Sequence, residues 1–186
     1  MATYSLRGIN SHSVIYSYVE PDGKRKQQWE TYDTELEAMQ RKAHIDYLQD
    51  KLLHLVVHLA FVCSLRAGET TGISINTIDF HDRSLWITQE VQRVSDDSLS
   101  ELPKNEIIRI FPKDVAASRS SLILKGPKTE GSVRKQYLTT PLLYEIRTRL
   151  DEIRSNKEFF GSEYKDYGLL ICKPDGRPVD PKDINN

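Results

Sequence analysis

Residues 61–93 read FVCSLRAGETTGISINTIDFHDRSLWITQEVQR, and the order of chemistry in this stretch decides the fold. An apolar run that closes near Cys63–Leu65 is the end of a buried helix. Arg66 follows at a helix–turn junction beside Gly68, and Glu69 opens a short amphipathic turn that closes at Gly72. Asp79–Phe80 leads into the turn HDRS, and LWITQEVQR is a strand. An arginine fixed at the end of a packed helix suits phosphate recognition, because its planar fork gives bidentate hydrogen bonds and packing sets its direction. Glu69 stands either to hold Arg66 or to cap the next helix.

Upstream of the junction, Leu36, Met39, Ala43, Tyr47, Leu52, Leu55, Leu59 and Val62 recur at nearly helical spacing, with no Pro or Gly across residues 34–65. One helix of that length exceeds the globular norm, so a joint near Asp50 is expected. Thr34 with Glu37 three residues later has the spacing of a capping box. Before it, SVIYSYV (13–19) and KRKQQWETY (24–32) flank the turn PDGK and read as a hairpin, with a third strand near Tyr4–Ile9. The basic residues Lys24, Arg25 and Lys26 at its tip suit a two-stranded ribbon entering a DNA groove. An ordinary solvated hairpin explains them equally well, since residues 1–50 carry six basic and eight acidic side chains.

Downstream, GPKTEGSVRKQYL at 126–138 is a turn followed by a strand. From Lys125 to Lys135 there are four basic residues (Lys125, Lys128, Arg134, Lys135) against Glu130 alone, a local excess that fits phosphate contact. TTPLLYEIRTRLDEIRSNKEFF is an amphipathic helix with Thr140 as N-cap and Pro141 at its first position, its buried stripe formed by Leu142, Leu143, Ile146, Leu150 and Ile153. Arg147, Arg149 and Arg154 are assigned to the solvated side. YGLLIC (167–172) reads as a short buried strand.

On these residues the chain resembles the tyrosine recombinase (phage-type integrase) family. The family's first catalytic box has the form TGLRxGE followed by a leucine, a gap and an acidic element; here it stands as CSLRAGETTGISINTIDF. The resemblance implies that Arg66 is the first catalytic arginine, Glu69 the structural glutamate and Lys128 the lysine presented by a β-hairpin. Arg134 matches a basic residue on the strand that follows. LLICKPDGRPVDP (169–181) is similar to the segment before the second box, and YVEPDGKRKQQWETYDTELEA to the three-stranded arm-type DNA-binding domain. The implied fold is α+β: a small N-terminal sheet with a helix over residues 1–50, joined over 51–186 to a partial catalytic domain of helices and a small antiparallel sheet lacking its C-terminal half. The implied activity is DNA integration and site-specific recombination. Two arginines neutralise the scissile phosphate, a lysine protonates the leaving oxygen, and a tyrosine is the nucleophile, without metal or cofactor. No His-x-x-Arg occurs in the 186 residues, and Tyr137, Tyr144, Tyr164 and Tyr167 do not match the nucleophile. The expectation is therefore DNA binding without autonomous cleavage. The competing reading is a protein-interaction module that uses an orphan apolar face, with self-association or a missing integrase half as partner.

Composition bounds these readings. With 26 Lys and Arg against 27 Asp and Glu, the formal charge is −1, so duplex binding must come from local patches and is expected to be weak. No apolar run reaches the roughly 20 residues of a bilayer span, and the start MATYSLRGIN lacks a hydrophobic signal core. A cytoplasmic protein without membrane partners is expected. Cys63 and Cys172 lie in apolar surroundings and suggest reduced core thiols. His54 and His58 share the i, i+4 spacing of a zinc-binding helix, but no Glu intervenes, and helix packing is the better explanation; no metal site is assigned.

Overall fold

The computed structural model describes residues 2–6, 11–19, 25–103, 105–113, 117–127 and 132–184. They form two compact units, Met1–His54 and Leu55–Asn186. The architecture is α+β, and the described residues form helices and three antiparallel sheets of three strands each.

In the first unit, β1 (Thr3–Leu6), β2 (His12–Val19) and β3 (Arg25–Tyr32) pair in the order β1-β2-β3. The register sets Thr3, Ile15 and Trp29 in one cross-strand row and Tyr4, Val14 and Glu30 in the next. Because side chains alternate along a strand, these rows face opposite ways. The Val14 row meets α1 (Glu35–Gln49), where Ala2, Val14, Ala38 and Ile45 make a core flanked by Tyr4, Tyr16 and Tyr32. Thr34 caps α1: its Oγ1 accepts from the Glu37 N–H at 3.3 Å and donates to the Glu37 carboxylate at 2.9 Å. The expected joint falls at Asp50. Its ψ of 88° leaves the helical region, and its Oδ1 accepts from the Leu53 N–H at 2.9 Å, which starts α2 (Lys51–Val62).

In the second unit, α2 buries Leu55, Val56 and Leu59. α3 (Ala67–Thr71) leads through a short 3₁₀ turn (Ile75–Thr77) to β4 (Ile78–Asp79). The turn HDRS forms as expected: Asp79 Oδ1 accepts from the N–H groups of His81 and Asp82, and Arg83 takes φ of 53°. The expected single strand LWITQEVQR is instead two, β5 (Ser84–Ile87) and β6 (Glu90–Ser95), in different sheets. The break at Thr88–Gln89 has a packing cause. α3 lies so close to β6 that a Cβ on Gly68 would stand 2.8 Å from the Val91 carbonyl, and one on Gly72 would stand 2.7 Å from the Glu90 Cα. The Gln89 side chain ties the contact by donating to the Gly72 carbonyl at 2.8 Å.

After α4 (Asp96–Glu101), β7 (Ile107–Ile110) and β8 (Ser120–Lys125) complete the sheet ordered β6-β8-β7, and β9 (Arg134–Tyr137) completes β4-β5-β9. α5 (Thr140–Phe160) begins one residue earlier than the sequence suggests: Thr139, not Thr140, is the N-cap, accepting from the Leu142 N–H. Leu142, Leu143, Ile146 and Ile153 are buried as expected. Arg149 was assigned to the solvated side, yet it is 5% exposed. It donates to the carbonyls of Leu170 and Cys172, so its guanidinium pins the segment 169–172 to the helix. That segment is buried but reads as strand only through the isolated bridges Ser74–Leu169 and Cys172–Pro178. The core joins Val91, Phe111, Leu124, Ile153, Leu169 and Cys172, with Phe111 edge-on to Tyr167 at 4.9 Å, and α6 (Pro181–Ile184) follows. Cys63 and Cys172 are buried free thiols. No described helix is long and apolar enough to cross a membrane.

Two tests follow from this packing. Gly72→Ala forces a methyl into backbone and is expected to destabilise the second unit by about 1–3 kcal/mol, read from its urea midpoint. In the first unit, Glu30 accepts a two-pronged bond from Arg41 and one each from Tyr16 and Tyr32, and its carboxyl is held at about 2 against an ordinary 4.5. The folded state thus binds that proton less readily than the unfolded chain. The stabilisation is present above the ordinary value and lost as pH falls from about 4.5 toward 2. An acid titration of the first unit's melting should show that loss, and Glu30→Gln should flatten it.

Candidate functional site

The end of α2 determines where Arg66 points. The Cys63 N–H bonds the Leu59 carbonyl, the Leu65 N–H reaches back to Ala60, and Ser64 takes φ of 51° between them. This is the Schellman arrangement, in which the chain leaves a helix through one left-handed residue. Arg66 emerges extended, at φ −74° and ψ 156°, and its side chain is 80% exposed.

Glu69 lies one turn further on, with its side chain 6% exposed. Of the two roles open to it in the sequence, it fills the cap, stands only at the edge of ion-pair range from the Arg66 side chain, and takes a third partner. Its Oε2 accepts from the Arg66 N–H at 2.9 Å, the backward half of a capping box. Its Oε1 stands 3.8 Å from Arg66 Nη1. Arg134 of β9 then takes both oxygens in a fork, Nη1 to Oε1 at 2.8 Å and Nη2 to Oε2 at 3.0 Å. The Arg134 guanidinium holds the Glu69 carboxyl below the usual carboxylate range, and the carboxylate in turn raises Arg134. Arg134 also donates to the carbonyls of Ser132 and Ser64.

Arg66, Glu69, Ile87, Gln89, Glu90, Pro127 and Ser132 line one small cavity of about 40 Å³. That is far below the roughly 300 Å³ of small-molecule sites. Chemically, the place is a cation standing on a cleft floor. The flanking strands β8 and β9 lie in different sheets, so they are not the two arms of the hairpin that the resemblance implied. Lys128 lies outside the described residues, and Pro127 and Ser132, before and after it in sequence, line this cavity with Arg66. Gln89 and Glu90 had no signal as site residues, because they sit at the strand break that only packing reveals.

The other basic candidates are dispersed by strand geometry. Arg134 pairs across from Ile87 and Lys135 from Trp86, so the two neighbours face opposite sides of the sheet. Lys135 bonds Asp82 and, with Trp86, lines a separate open groove of about 570 Å³. Lys125 bonds Glu90 at 3.1 Å with its side chain 12% exposed. Each of these three cations therefore meets a carboxylate, and Arg66 is the most open of the described ones around the cavity. In the first unit, Lys24 lies outside the described residues, Arg25 is the first residue of β3, and Lys26 is exposed beside it. Trp29, read as a strand anchor, is 44% exposed on the sheet face away from α1. His58 Nδ1 meets Glu145 at 2.8 Å.

No family model and no curated protein matches the chain. Among solved structures it is similar to an arginine-to-lysine variant of the Tn1549 transposon integrase in complex with a circular intermediate DNA. That likeness has a TM-score of 0.48 and 14% identity, and it covers 76% of this chain and 38% of that one. A tyrosine-to-phenylalanine variant of the same integrase, in complex with transposon right end DNA, gives 0.43 and 17% over 67% of this chain and 31% of that one. The chain thus spans well under half the length of these integrase fragments.

Ser64 supplies a test of the junction. A left-handed residue with a Cβ carries strain that glycine escapes. Ser64→Gly is expected to stabilise the second unit by about 0.5–1 kcal/mol, read as a raised urea midpoint. An unchanged or lowered midpoint would mean that the turn is not held in this conformation.

Proposed function

We propose that the chain is a DNA-binding relative of tyrosine-recombinase integrases that contacts duplex phosphates and does not cleave strands by itself. The observation that carries this reading is Arg66, an exposed guanidinium at the end of α2 that lines one cavity with Pro127 and Ser132, the described residues that flank Lys128 in sequence. The fork matches a phosphate's non-bridging oxygens, and Lys128, in the segment between Pro127 and Ser132, is assigned as a second cation on the family resemblance. In this reading residues 1–50 are an arm-type DNA-binding segment. The exposed Lys26 and Trp29 of β3 offer it a cation and a ring, and residues 51–186 are the partial catalytic domain. The carboxylate partners of Lys125, Arg134 and Lys135 keep the affinity low, because phosphate must compete with them.

A second reading has its own observation. Phe61 is 86% exposed and Val57, one turn before it on α2, is 42% exposed, which gives an apolar helix face suited to self-association or to another protein.

Titration of labelled duplex at low and moderate salt separates the two. Weak binding that falls steeply with salt is expected, because each phosphate contact releases counterions. A flat signal at micromolar protein in low salt would overturn the DNA reading in favour of the apolar face. Lys128→Ala should reduce the salt slope by up to about one unit. Incubation with a suicide duplex and denaturing electrophoresis should give no covalent band, and such a band would show that one of the chain's tyrosines acts as nucleophile.

A further inference from the structure

We infer that Arg134 is a positioning residue: by holding the Glu69 carboxylate in its own fork, it keeps Arg66 from being captured by Glu69 and leaves that guanidinium open to phosphate. The inference rests on the phosphate-binding role proposed above for Arg66, and it removes Arg134 from the list of DNA contacts.

The geometry makes the competition explicit. Glu69 has two cationic neighbours, Arg134 at 2.8 and 3.0 Å and Arg66 at 3.8 Å. The nearer one takes both oxygens. Its Nη1 and Nη2 also donate to the Ser132 and Ser64 carbonyls, so both arms of its fork are engaged inside the fold. Arg66 sits three residues before Glu69 on the same turn, and the carboxylate already accepts its backbone N–H. If Arg134 were absent, the nearly buried carboxylate would keep its cost of desolvation and have one guanidinium within reach, that of Arg66. With Arg134 in place, the carboxylate is engaged by the nearer fork, and Arg66, 3.8 Å away, stays largely uncompensated. Without it, Glu69 and Arg66 cancel, and an approaching phosphate meets a neutral pair. Strand alternation supports the same division of labour: Arg134 faces the Ile87 side of its sheet, toward Glu69, whereas its neighbour Lys135 faces the Trp86 groove.

The test uses two readouts on the full chain: modification of arginines by phenylglyoxal without DNA, followed by peptide mass mapping, and the salt slope of duplex binding. In the wild type, Arg66 should react about tenfold faster than Arg134, whose fork is engaged. Arg134→Ala should slow Arg66 modification several-fold and lower the duplex salt slope by about one unit, as one lost phosphate contact does. Adding Glu69→Gln to Arg134→Ala removes the captor and should restore both values. A residue that merely braced the fold would give further damage in the double variant. Arg134→Lys, which keeps the charge without the fork, should fall between wild type and Arg134→Ala. Unchanged Arg66 reactivity in Arg134→Ala, or no rescue in the double variant, overturns the inference. If Arg134→Ala does not fold, as a thermal melt will show, the double variant leaves no unpaired carboxylate and still reads the Arg66 rate against wild type. In that case a rate below wild type overturns the inference. Arg66 labelling that follows the expected pattern without any duplex binding supports the pairing and overturns the phosphate role. Duplex binding with unresponsive labelling overturns the pairing and leaves the DNA reading standing.

Discussion

The Glu69 carboxylate ties the junction between α2 and α3 to the distant strand β9. It accepts from the backbone of Arg66 at the end of α2, it opens α3, and it receives the fork of Arg134 from β9, 65 positions away. A carboxylate that is 6% exposed is tolerable only with such partners, since an unpaired one would cost several kcal/mol. Satisfying it sets where the chain leaves α2 at Arg66 and holds β9 beside α3. Among the described residues every buried polar side-chain atom has a partner, and the Arg149 guanidinium serves the far side of the second unit in the same way.

Around that ion pair the backbone is close-packed. Gly68 and Gly72 allow α3 to lie against β6 at backbone contact, and the contact diverts the chain from one sheet to the next at Thr88–Gln89. The junction before Arg66 uses Ser64 in a left-handed conformation. The family box that the sequence resembles has glycine there, and the hydroxyl-bearing residue occupies the same geometry at a cost that the Schellman bonds and the buried α2 offset.

Local chemistry made much of the fold legible. The Thr34–Glu37 cap, the joint at Asp50, the Asp79 turn and the buried face of α5 each depend on residues within a few positions of one another, so spacing sufficed to find them. The three N-terminal strands followed from β-branched and aromatic runs around turn residues. Errors arose where partners are distant in sequence. Arg149 looks like any surface arginine on an amphipathic helix until the carbonyls of Leu170 and Cys172 arrive beside it. LWITQEVQR has uninterrupted strand character until α3 presses on its middle.

By itself, the sequence determined which residue types stand at the candidate site: an arginine and a glutamate three apart at a helix end, and a basic run over residues 125–135. Only the tertiary structure decided how those charges are shared. Strand alternation sent Arg134 and Lys135 to opposite faces. Register set Lys125 beside Glu90, and the fold brought Asp82 to Lys135 and Glu69 to Arg134. The physical reason is that an ion pair depends on distances of a few ångströms between side chains, whereas the sequence fixes only their separation along the chain. A local excess of positive charge can therefore be read from the sequence, but which cation remains open to a phosphate cannot.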